Sequence, residues 1–429
     1  MEFAFNPAFT AVMTPTSTLL VGVFCFFRFY ERMVNLEQNL LVATQWIFLA
    51  LVASLLSIRL GISVALMEIV VGVFGGNVLH IEITPWVNFL AGFGAVILTF
   101  LAGAEIDPES LKENIKESFA IGFLSFLLPF LGGMACAYYF FGWDANASKI
   151  AGIALSTTSV AVVYAVMVES GLSSSRLGQS ILAACFITDL GTVVALGILF
   201  TGFSIKLIWF VLILAITLFI ATPIAARLFA AYGGKVSEPE IKFVFLVLAG
   251  LGYVALTTGS EAVLPAYILG MAMAGFFSKY KETLHKMRAI IFVAFTPFYF
   301  LKAGALISWT ALYTMFWTIM IYLLVKVVAK FVGVLPTTYV FNYGHRTGIY
   351  TTLLMSTGLT FGTISALYGL SNNYINNNQY SVLVAAVILS AVIPTVIAQK
   401  YFFPVPGESN GESEEIATVQ VERSSENEC

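Results

Sequence analysis

Apolar segments of about twenty residues, with few charged residues, follow one another along most of this chain. One of them, 177–200, is LGQSILAACFITDLGTVVALGILF. The hydrocarbon core of a bilayer is about 30 Å thick, a distance that an α-helix covers in roughly 20 residues. Of the 429 residues, 59% are hydrophobic and 10% are charged, whereas soluble domains are nearer about 25% charged. The fold class predicted is therefore an all-α polytopic membrane protein.

Hydropathy predicts about thirteen transmembrane helices between residues 40 and 402. The preceding segment, 1–39, contains the apolar stretch Ser17–Tyr30, which could form an extra helix, a signal-like segment or a surface helix. Residues 403–429 are rich in Glu, Ser and Asn and are predicted to form an acidic, disordered cytoplasmic tail. The predicted spans are 40–58, 62–79, 87–105, 118–142, 149–168, 177–201, 205–230, 241–257, 261–277, 288–308, 311–336, 347–370 and 379–402.

Basic residues between the spans give the orientation. Fourteen Lys and Arg residues fall on one side and four on the other, so the first side is predicted to be cytoplasmic. The N-terminus then lies outside and the C-terminus inside a cell (inner) membrane. The fourteen are Arg59, Lys112, Lys116, Arg176, Arg227, Lys235, Lys242, Lys279, Lys281, Lys286, Arg288, Arg346, Lys400 and Arg423, and the four are Arg28, Arg32, Lys149 and Lys206.

A weak internal repeat divides the predicted membrane domain, 40–402. Three pairs of similar segments occur in the same order at an offset of about 200 residues. The pairs begin at Gly61 and Gly259, at Ala102 and Ala303, and at Ala154 and Leu354. This offset equals seven spans, an odd number, so the copies must be inverted. Two inverted six-helix repeats, 40–201 and 241–402, joined by a linker helix at 205–230, are typical of secondary transporters.

Asp189 is the one acidic residue inside the span 177–201. A charge at the bilayer centre costs about 2.5–3.5 kcal/mol on insertion scales, so such residues are usually functional. A structural alternative is a carboxylate satisfied by the hydroxyls of Thr188 and Thr192. A functional carboxylate would hold a proton or a dehydrated monovalent cation such as Na⁺, but not both. Competition at this carboxylate alone can couple the two movements, and no cofactor is required.

Two hydroxyl-rich clusters lie mid-span at equivalent places in the two repeats. Such clusters usually serve helix packing. Their equivalent placement favours another interpretation, in which two interrupted helices cross near the midplane and direct freed carbonyls at the cation. The clusters are Ser156, Thr157, Thr158 and Ser159 in the first repeat, and Ser356, Thr357, Gly358 and Thr360 in the second.

Lys326 and Lys330 lie one turn apart in a long apolar segment. Either residue could place its ammonium group at the membrane interface, which is easier for Lys330. The functional alternative is a counter-charge for the ion site or a second proton site.

Three more charged residues are pathway candidates. Lys302 could line a cation pathway or reach the interface, and a lining role is favoured. Glu68 could face a water-filled cavity or be paired in the core. Glu105, with Asp107 and Glu109, is expected to form a solvated helix end, although an acidic rim would also attract cations.

Other classes of function fit less well. A sodium-coupled organic anion symporter would need a cationic substrate clamp, and only Lys302 offers a charge for one. A channel fits poorly because a single buried acid within an inverted repeat favours alternating access. Neither HExxH nor GxSxG occurs, which argues against an enzyme. The four cysteines show no CxxC spacing, and nothing indicates a nucleic-acid partner.

Six stretches, taken together and in order, resemble the monovalent cation:proton antiporter-2 family of sodium/proton antiporters and Kef membrane domains. The resemblance implies the NhaA-type fold, with crossed broken helices, a panel through which a homodimer forms, and an elevator-like motion of a six-helix core. The stretches are LGISVALMEIVVGVFGG, GAVILTFLAGAEIDPESL, IALSTTSVAVVYAVMVESGL, RLGQSILAACFITDLGTVVALGIL, TPFYFLKAGALIS and LMSTGLTFGTISALYGL.

The resemblance also assigns roles to single residues. Asp189 matches the family's ion-binding Asp, Thr157 and Thr158 fall in the first broken helix, and Lys330 matches the intramembrane lysine of electrogenic members. Electrogenic members carry Asp-Asp where this chain has Thr188 and Asp189, so Lys330 loses its usual carboxylate partner and electroneutral exchange is expected.

Two further departures from the family pattern concern other parts of the chain. The family's frequent RGE is RTG at 346–348, so its Glu is missing. No nucleotide-binding regulatory domain is expected after Phe402, which argues against regulation of the Kef kind.

Overall fold

The computed structural model describes residues 15–105, 108–201, 205–232, 235, 237–260, 262–277 and 280–404. Within these ranges the side chains of 15–35, 108–111, 113, 201, 205–208 and 311 are left out of the description. The first fourteen residues and most of the predicted acidic tail, 405–429, lie outside the described residues. The chain divides into two compact units, Met1–Phe48 and Leu49–Cys429.

The described part of the chain is a set of helices. Eleven helices among the described residues are long and apolar enough to cross a membrane, and two shorter apolar helices complete the thirteen predicted spans. The helices are α1 Pro15–Leu60, α2 Val64–Asn77, α3 Pro85–Ala104, α4 Pro108–Ala135, α5 Ala145–Ser156, α6 Val160–Glu169, α7 Arg176–Leu196, α8 Ile205–Tyr232, α9 Pro239–Thr257, α10 Val263–Phe277, α11 Lys281–Ala294, α12 Thr296–Ala305, α13 Trp309–Thr314, α14 Phe316–Val340, α15 His345–Met355, α16 Thr360–Ser371 and α17 Asn377–Tyr401.

The N-terminal segment shows one difference from the predicted boundaries. Helix α1 continues without interruption from Pro15 to Leu60, a length of 46 residues. The predicted first span, 40–58, is therefore the end of a longer helix. Hydropathy placed its start at residue 40 because Glu31, Arg32 and Glu37 interrupt the apolar run, although charged residues do not themselves end a helix.

Two helix pairs pack closely through glycines. A Cβ at Gly304 of α12 would overlap the carbonyl oxygen of Ile69 in α2, and a Cβ at Gly270 of α10 would overlap that of Phe100 in α3. Backbones come this close only where small residues face each other. By the sequence repeat, α2 corresponds to α10 and α12 corresponds to α3, so the two pairs occupy equivalent places.

Gly304→Ala should destabilise the protein, because the new methyl group must push α12 away from α2. We expect a loss of about 1–3 kcal/mol, the usual cost of overpacking. Gly250→Ala is the matched control, since nothing lies within 4 Å of a Cβ at that exposed position. Thermal unfolding in detergent measures the stability of both variants. Equal stability of the two variants would contradict the close packing of α2 and α12.

A second group of helices contains both interrupted spans. Helices α4, α7, α14 and α17 pack around the spans α5–α6 and α15–α16. The span from Ala145 to Glu169 lies deep inside this group, where most of its side chains are buried. Polar groups on α5 and α6 are therefore kept from lipid and must find partners or a bound ion within the protein.

Candidate functional site

Two helix interruptions face each other inside the second group of helices. The first separates α5 from α6 at residues 157–159, and the second separates α15 from α16 at residues 356–359. The hydroxyl of Thr158 donates to the carbonyl oxygen of Met355 at 2.9 Å, and the hydroxyls of Ser159 and Thr360 lie 3.5 Å apart. Both interruptions lie at the hydroxyl clusters where the sequence predicted them, and the extended backbone there leaves helix-end groups free of intrahelical bonds.

The first interruption forms although its cluster contains neither Gly nor Pro. Thr157 ends α5 in an extended conformation, at φ −65° and ψ 150°. The side chain of Ser159 then caps α6 by accepting from the backbone of Val162. Serine at an N-cap stabilises a new helix start, which explains why the chain stops and restarts here.

Asp189 lies on α7 and is 5% exposed. Its Oδ1 atom has no hydrogen-bond partner among the described residues. The hydroxyl of Thr188 donates to backbone carbonyls, at 2.9 Å to Ala184 and 3.2 Å to Gly122, and the hydroxyl of Thr192 donates to the carbonyl of Thr188. The structural alternative, in which these two hydroxyls satisfy the carboxylate, is therefore wrong. Threonine hydroxyls on a helix prefer the carbonyl one turn back.

Lys330 joins α14 to the first interruption and is fully buried. Its ammonium group donates to the hydroxyl of Ser125 at 2.7 Å, the hydroxyl of Thr158 at 2.8 Å and the carbonyl of Ser156 at 3.0 Å. The alternative in which Lys330 places its ammonium group at the membrane interface is therefore wrong. The bond to the Ser156 carbonyl places a positive charge at the C-terminal end of α5, where the helix dipole favours it.

Lys326 lies against the second interruption. Its side chain is fully buried, and its ammonium nitrogen has no hydrogen-bond partner among the described residues. A Cβ at Gly358 would overlap this nitrogen, so glycine there makes the room that Lys326 occupies. Lys326 and Lys330 both act electrostatically on Asp189. An interfacial position is excluded for Lys326 as well.

Two of the described polar atoms without partners belong to the residues predicted to bind an ion. Besides Asp189 Oδ1, the hydroxyl oxygen of Thr357 is buried and has no partner among the described residues. Each such group costs about 1–3 kcal/mol unless something binds it. Three other hydroxyls of the two clusters donate to their own helices: Ser156 to Ile153, Thr157 to Ala154 and Ser356 to Thr352.

A cavity of about 570 Å³ reaches the second interruption. It is lined by α3, α9, α10, α12, α16 and α17, and Lys302 and Thr360 are in its wall. Lys302 is half-buried, as its predicted lining role requires. Tyr299 also lines the cavity, and its hydroxyl lies 2.5 Å from that of Thr360. Sequence reasoning missed Tyr299 and Ser125, because one Tyr or Ser in an apolar span carries no distinguishing pattern.

The two remaining acidic candidates lie away from this cavity. Glu68 is 1% exposed and does not line it, and its Oε2 atom has no partner in the described part of the chain. The side chain of Glu105 is 3% exposed and is paired with Arg288 of α11, and the hydroxyl of Tyr164 donates to it at 2.6 Å. The expectation of a solvated helix end is therefore wrong for Glu105, since Arg288 and Tyr164 cover it.

Comparisons with known proteins agree with a transporter of cations and protons. A family model described as "Sodium/hydrogen exchanger, transmembrane" matches residues 47–402. The chain is 27% identical over 351 residues to a probable Na⁺/H⁺ antiporter of Methanocaldococcus jannaschii, covering 79% of this chain and 89% of that protein. It is 26% identical over 380 residues to a Na⁺/H⁺ antiporter of Enterococcus hirae, covering 82% and 94%.

Two further comparisons concern ion choice and fold. The Na⁺/H⁺-K⁺ antiporter GerN of Bacillus cereus is 25% identical over 368 residues, with 81% of this chain and 92% of GerN covered. Among solved structures, the sodium proton antiporter MjNhaP1 of M. jannaschii superposes with a TM-score of 0.64 at 15% identity. That superposition covers 85% of this chain and 99% of MjNhaP1, and it shows a common fold.

Proposed function

This chain belongs to the sodium/hydrogen exchanger family, and on that premise we propose that it exchanges Na⁺ for protons at Asp189. The observation that supports this most directly is the buried Oδ1 atom of Asp189, which has no partner among the described residues. A carboxylate so placed must hold a proton or a cation to remain buried. Since it cannot hold both, release of one permits binding of the other. We assign the chain to the antiporter-2 branch, with the NhaA-type fold.

The Asp189 carboxylate and the second interruption together supply the proposed cation ligands. Thr357 offers a hydroxyl oxygen, and backbone carbonyls freed at the interruption offer further oxygens of the kind that alkali cations prefer. Thr157 and Thr158 contribute from the first interruption, where Thr158 also holds Lys330. Thr188 has a supporting role, because its hydrogen is already donated to the backbone.

The two lysines have different parts in this proposal. Lys330 ties α14 to α4 and to the first interruption through three hydrogen bonds, so its role is to hold the site together. Lys326 has no such bond in the described structure and acts on Asp189 through its charge. Lys326 is therefore the counter-charge, or the second proton site, of the exchanger.

Alternating access follows from the two groups of helices. The group containing α5–α6 and α15–α16 would carry the bound ion past the panel formed by the glycine-packed pairs, and a second copy would bind through that panel. The cavity lies toward the ends of α9 and α12 that the basic residues place outside. We therefore propose an outward-open exchanger in the cell membrane, with its N-terminus outside and its C-terminus in the cytoplasm.

The rate of exchange should not depend on membrane potential, because Thr188 replaces the first Asp of the Asp-Asp pair expected of electrogenic relatives. One carboxylate that holds either one proton or one Na⁺ moves no net charge per cycle. Proteoliposomes with a Na⁺ gradient, measured with the potential clamped at zero and at −100 mV, test this. One net charge per cycle is worth about 2.3 kcal/mol at 100 mV, so a rate that changes severalfold between the two potentials would refute electroneutrality.

Two alternatives remain testable in the same vesicles. The first alternative is exchange of K⁺ or Li⁺ for protons. The similarity to GerN, a Na⁺/H⁺-K⁺ antiporter, favours K⁺, and proton movement driven by K⁺ or Li⁺ gradients would show such exchange. The cavity and its half-buried Lys302 favour a sodium-coupled symporter of an organic anion as the other alternative. If Na⁺ drives uptake of an organic carboxylate, and if this uptake is lost when Lys302 is replaced, the protein is a symporter and not an exchanger.

A further inference from the structure

Two residues that carry hydroxyl groups form part of the cavity wall at the second interruption. Tyr299 and Thr360 line the cavity, but Asp189 does not. The hydroxyl of Tyr299 lies 2.5 Å from that of Thr360, which in turn lies 3.5 Å from that of Ser159. Thr360 is the first residue of α16, and Ser159 caps α6. Tyr299 therefore contacts the start of α16 directly, and Thr360 connects it to the start of α6.

Tyr299 also connects the two groups of helices. It lies on α12, which packs against α2 in the glycine-packed pair, whereas Thr360 and Ser159 belong to the group that contains Asp189. Its hydroxyl is near enough to Asp189 for the two groups to interact electrostatically. The ring lies in the cavity wall and is held there by the hydrogen bond to Thr360, which movement of α16 past α12 would break.

We propose that Tyr299 closes the passage from the cavity to Asp189, and that a cation enters only when the Tyr299 hydroxyl leaves Thr360. This inference rests on the proposed role of Asp189 as the ion site. Tyr299 is a positioning residue here: it holds the passage shut and is not a ligand of the ion. The bond to Thr360 makes closure of the passage depend on where α16 stands relative to α12.

Cys185 is a natural reporter for this passage. It lies one turn before Asp189 on α7, is fully buried, and has its sulfur 3.7 Å from that of Met355 at the second interruption. Replacing Cys25, Cys136 and Cys429 by serine leaves Cys185 as the single thiol. Ag⁺ is a suitable probe because it is a monovalent cation, and it binds the sulfur of a thiol while the thiol proton passes to water.

The experiment compares rates of Ag⁺ binding in this single-cysteine protein, purified in detergent without Na⁺. Tyr299→Phe should react roughly fivefold faster than the parent, the change that corresponds to one net hydrogen bond. Tyr299→Ala, which also removes the ring, should react faster still. Tyr253→Ala is the matched control, because Tyr253 lines the same cavity but is exposed, and it should react at the parental rate.

Equal rates for the parent and both Tyr299 variants would overturn the proposal, as would an equal acceleration in Tyr253→Ala. If Tyr299→Ala does not fold, Tyr299→Phe and Thr360→Val test the same hydrogen bond from its two ends. The reaction of Ag⁺ with Cys185 requires no transport. If Asp189 proves not to be the exchange site, the rates of Ag⁺ binding to Cys185 still show whether Tyr299 closes the passage. The two proposals can therefore fail separately.

Discussion

Asp189→Asn should reduce cation-driven proton movement to the level of protein-free liposomes. The amide has the shape of the carboxylate but carries no charge and releases no proton, so neither of the two competing species can bind as before. The buried Oδ1 atom at this position has no partner among the described residues, and no other acidic side chain is present in α7 to replace it. Proton movement is followed with a pH-sensitive dye inside vesicles after an imposed Na⁺ gradient.

Asp144→Asn is the matched control for this experiment. Asp144 caps α5 by accepting from the backbone of Asn146 and Ala147, and asparagine caps helices equally well. This variant should exchange at the rate of the unmodified protein. Undiminished exchange by Asp189→Asn, in protein that folds and inserts like the control, would contradict the assignment of the ion site.

Lys330→Met should cause the largest loss of stability among single changes near the site. The substitution removes three hydrogen bonds from a fully buried ammonium group and leaves the Ser125 hydroxyl and the Ser156 carbonyl without it. Each buried polar group left without a hydrogen-bond partner costs about 1–3 kcal/mol. We expect the apparent Tm in detergent to fall by about 5 °C or more.

Lys326→Met provides the contrast. Lys326 is equally buried but makes no hydrogen bond in the described structure, so methionine removes an unpaired charge and retains the length of the side chain. We expect an unchanged or higher Tm, since replacing buried charges by apolar groups is often neutral or stabilising. A similar fall in Tm for both lysine variants would show that the two residues do not differ as proposed.

The thirteen spans and the two interruptions could be predicted because they depend on local sequence. Hydropathy over about twenty residues defines a span whatever surrounds it. Hydroxyl clusters at repeat-related places also indicated the interruptions, although the first cluster contains no glycine or proline. The structure adds the reason, which is that Ser159 restarts the helix as a cap.

Contacts between distant segments were the part that the sequence did not reveal. Glu105 belongs to an apparently solvated acidic helix end, but Arg288, 183 residues later, pairs with it and excludes water. From the sequence, Lys330 was expected to have no partner, because the chain lacks the carboxylate that pairs with this lysine in electrogenic relatives. In the structure its partners include a serine of α4 and the backbone of α5. Such pairings depend on how the helices pack, and no spacing in the chain records them.

Competition between Na⁺ and protons at Asp189 is the central claim, and the apparent KM for Na⁺ as a function of pH tests it most directly. If one proton is displaced by one cation, the KM should rise as the pH falls and approach about a tenfold increase per pH unit, while the maximal rate at saturating Na⁺ stays nearly constant. A KM for Na⁺ that does not change with pH would contradict the claim.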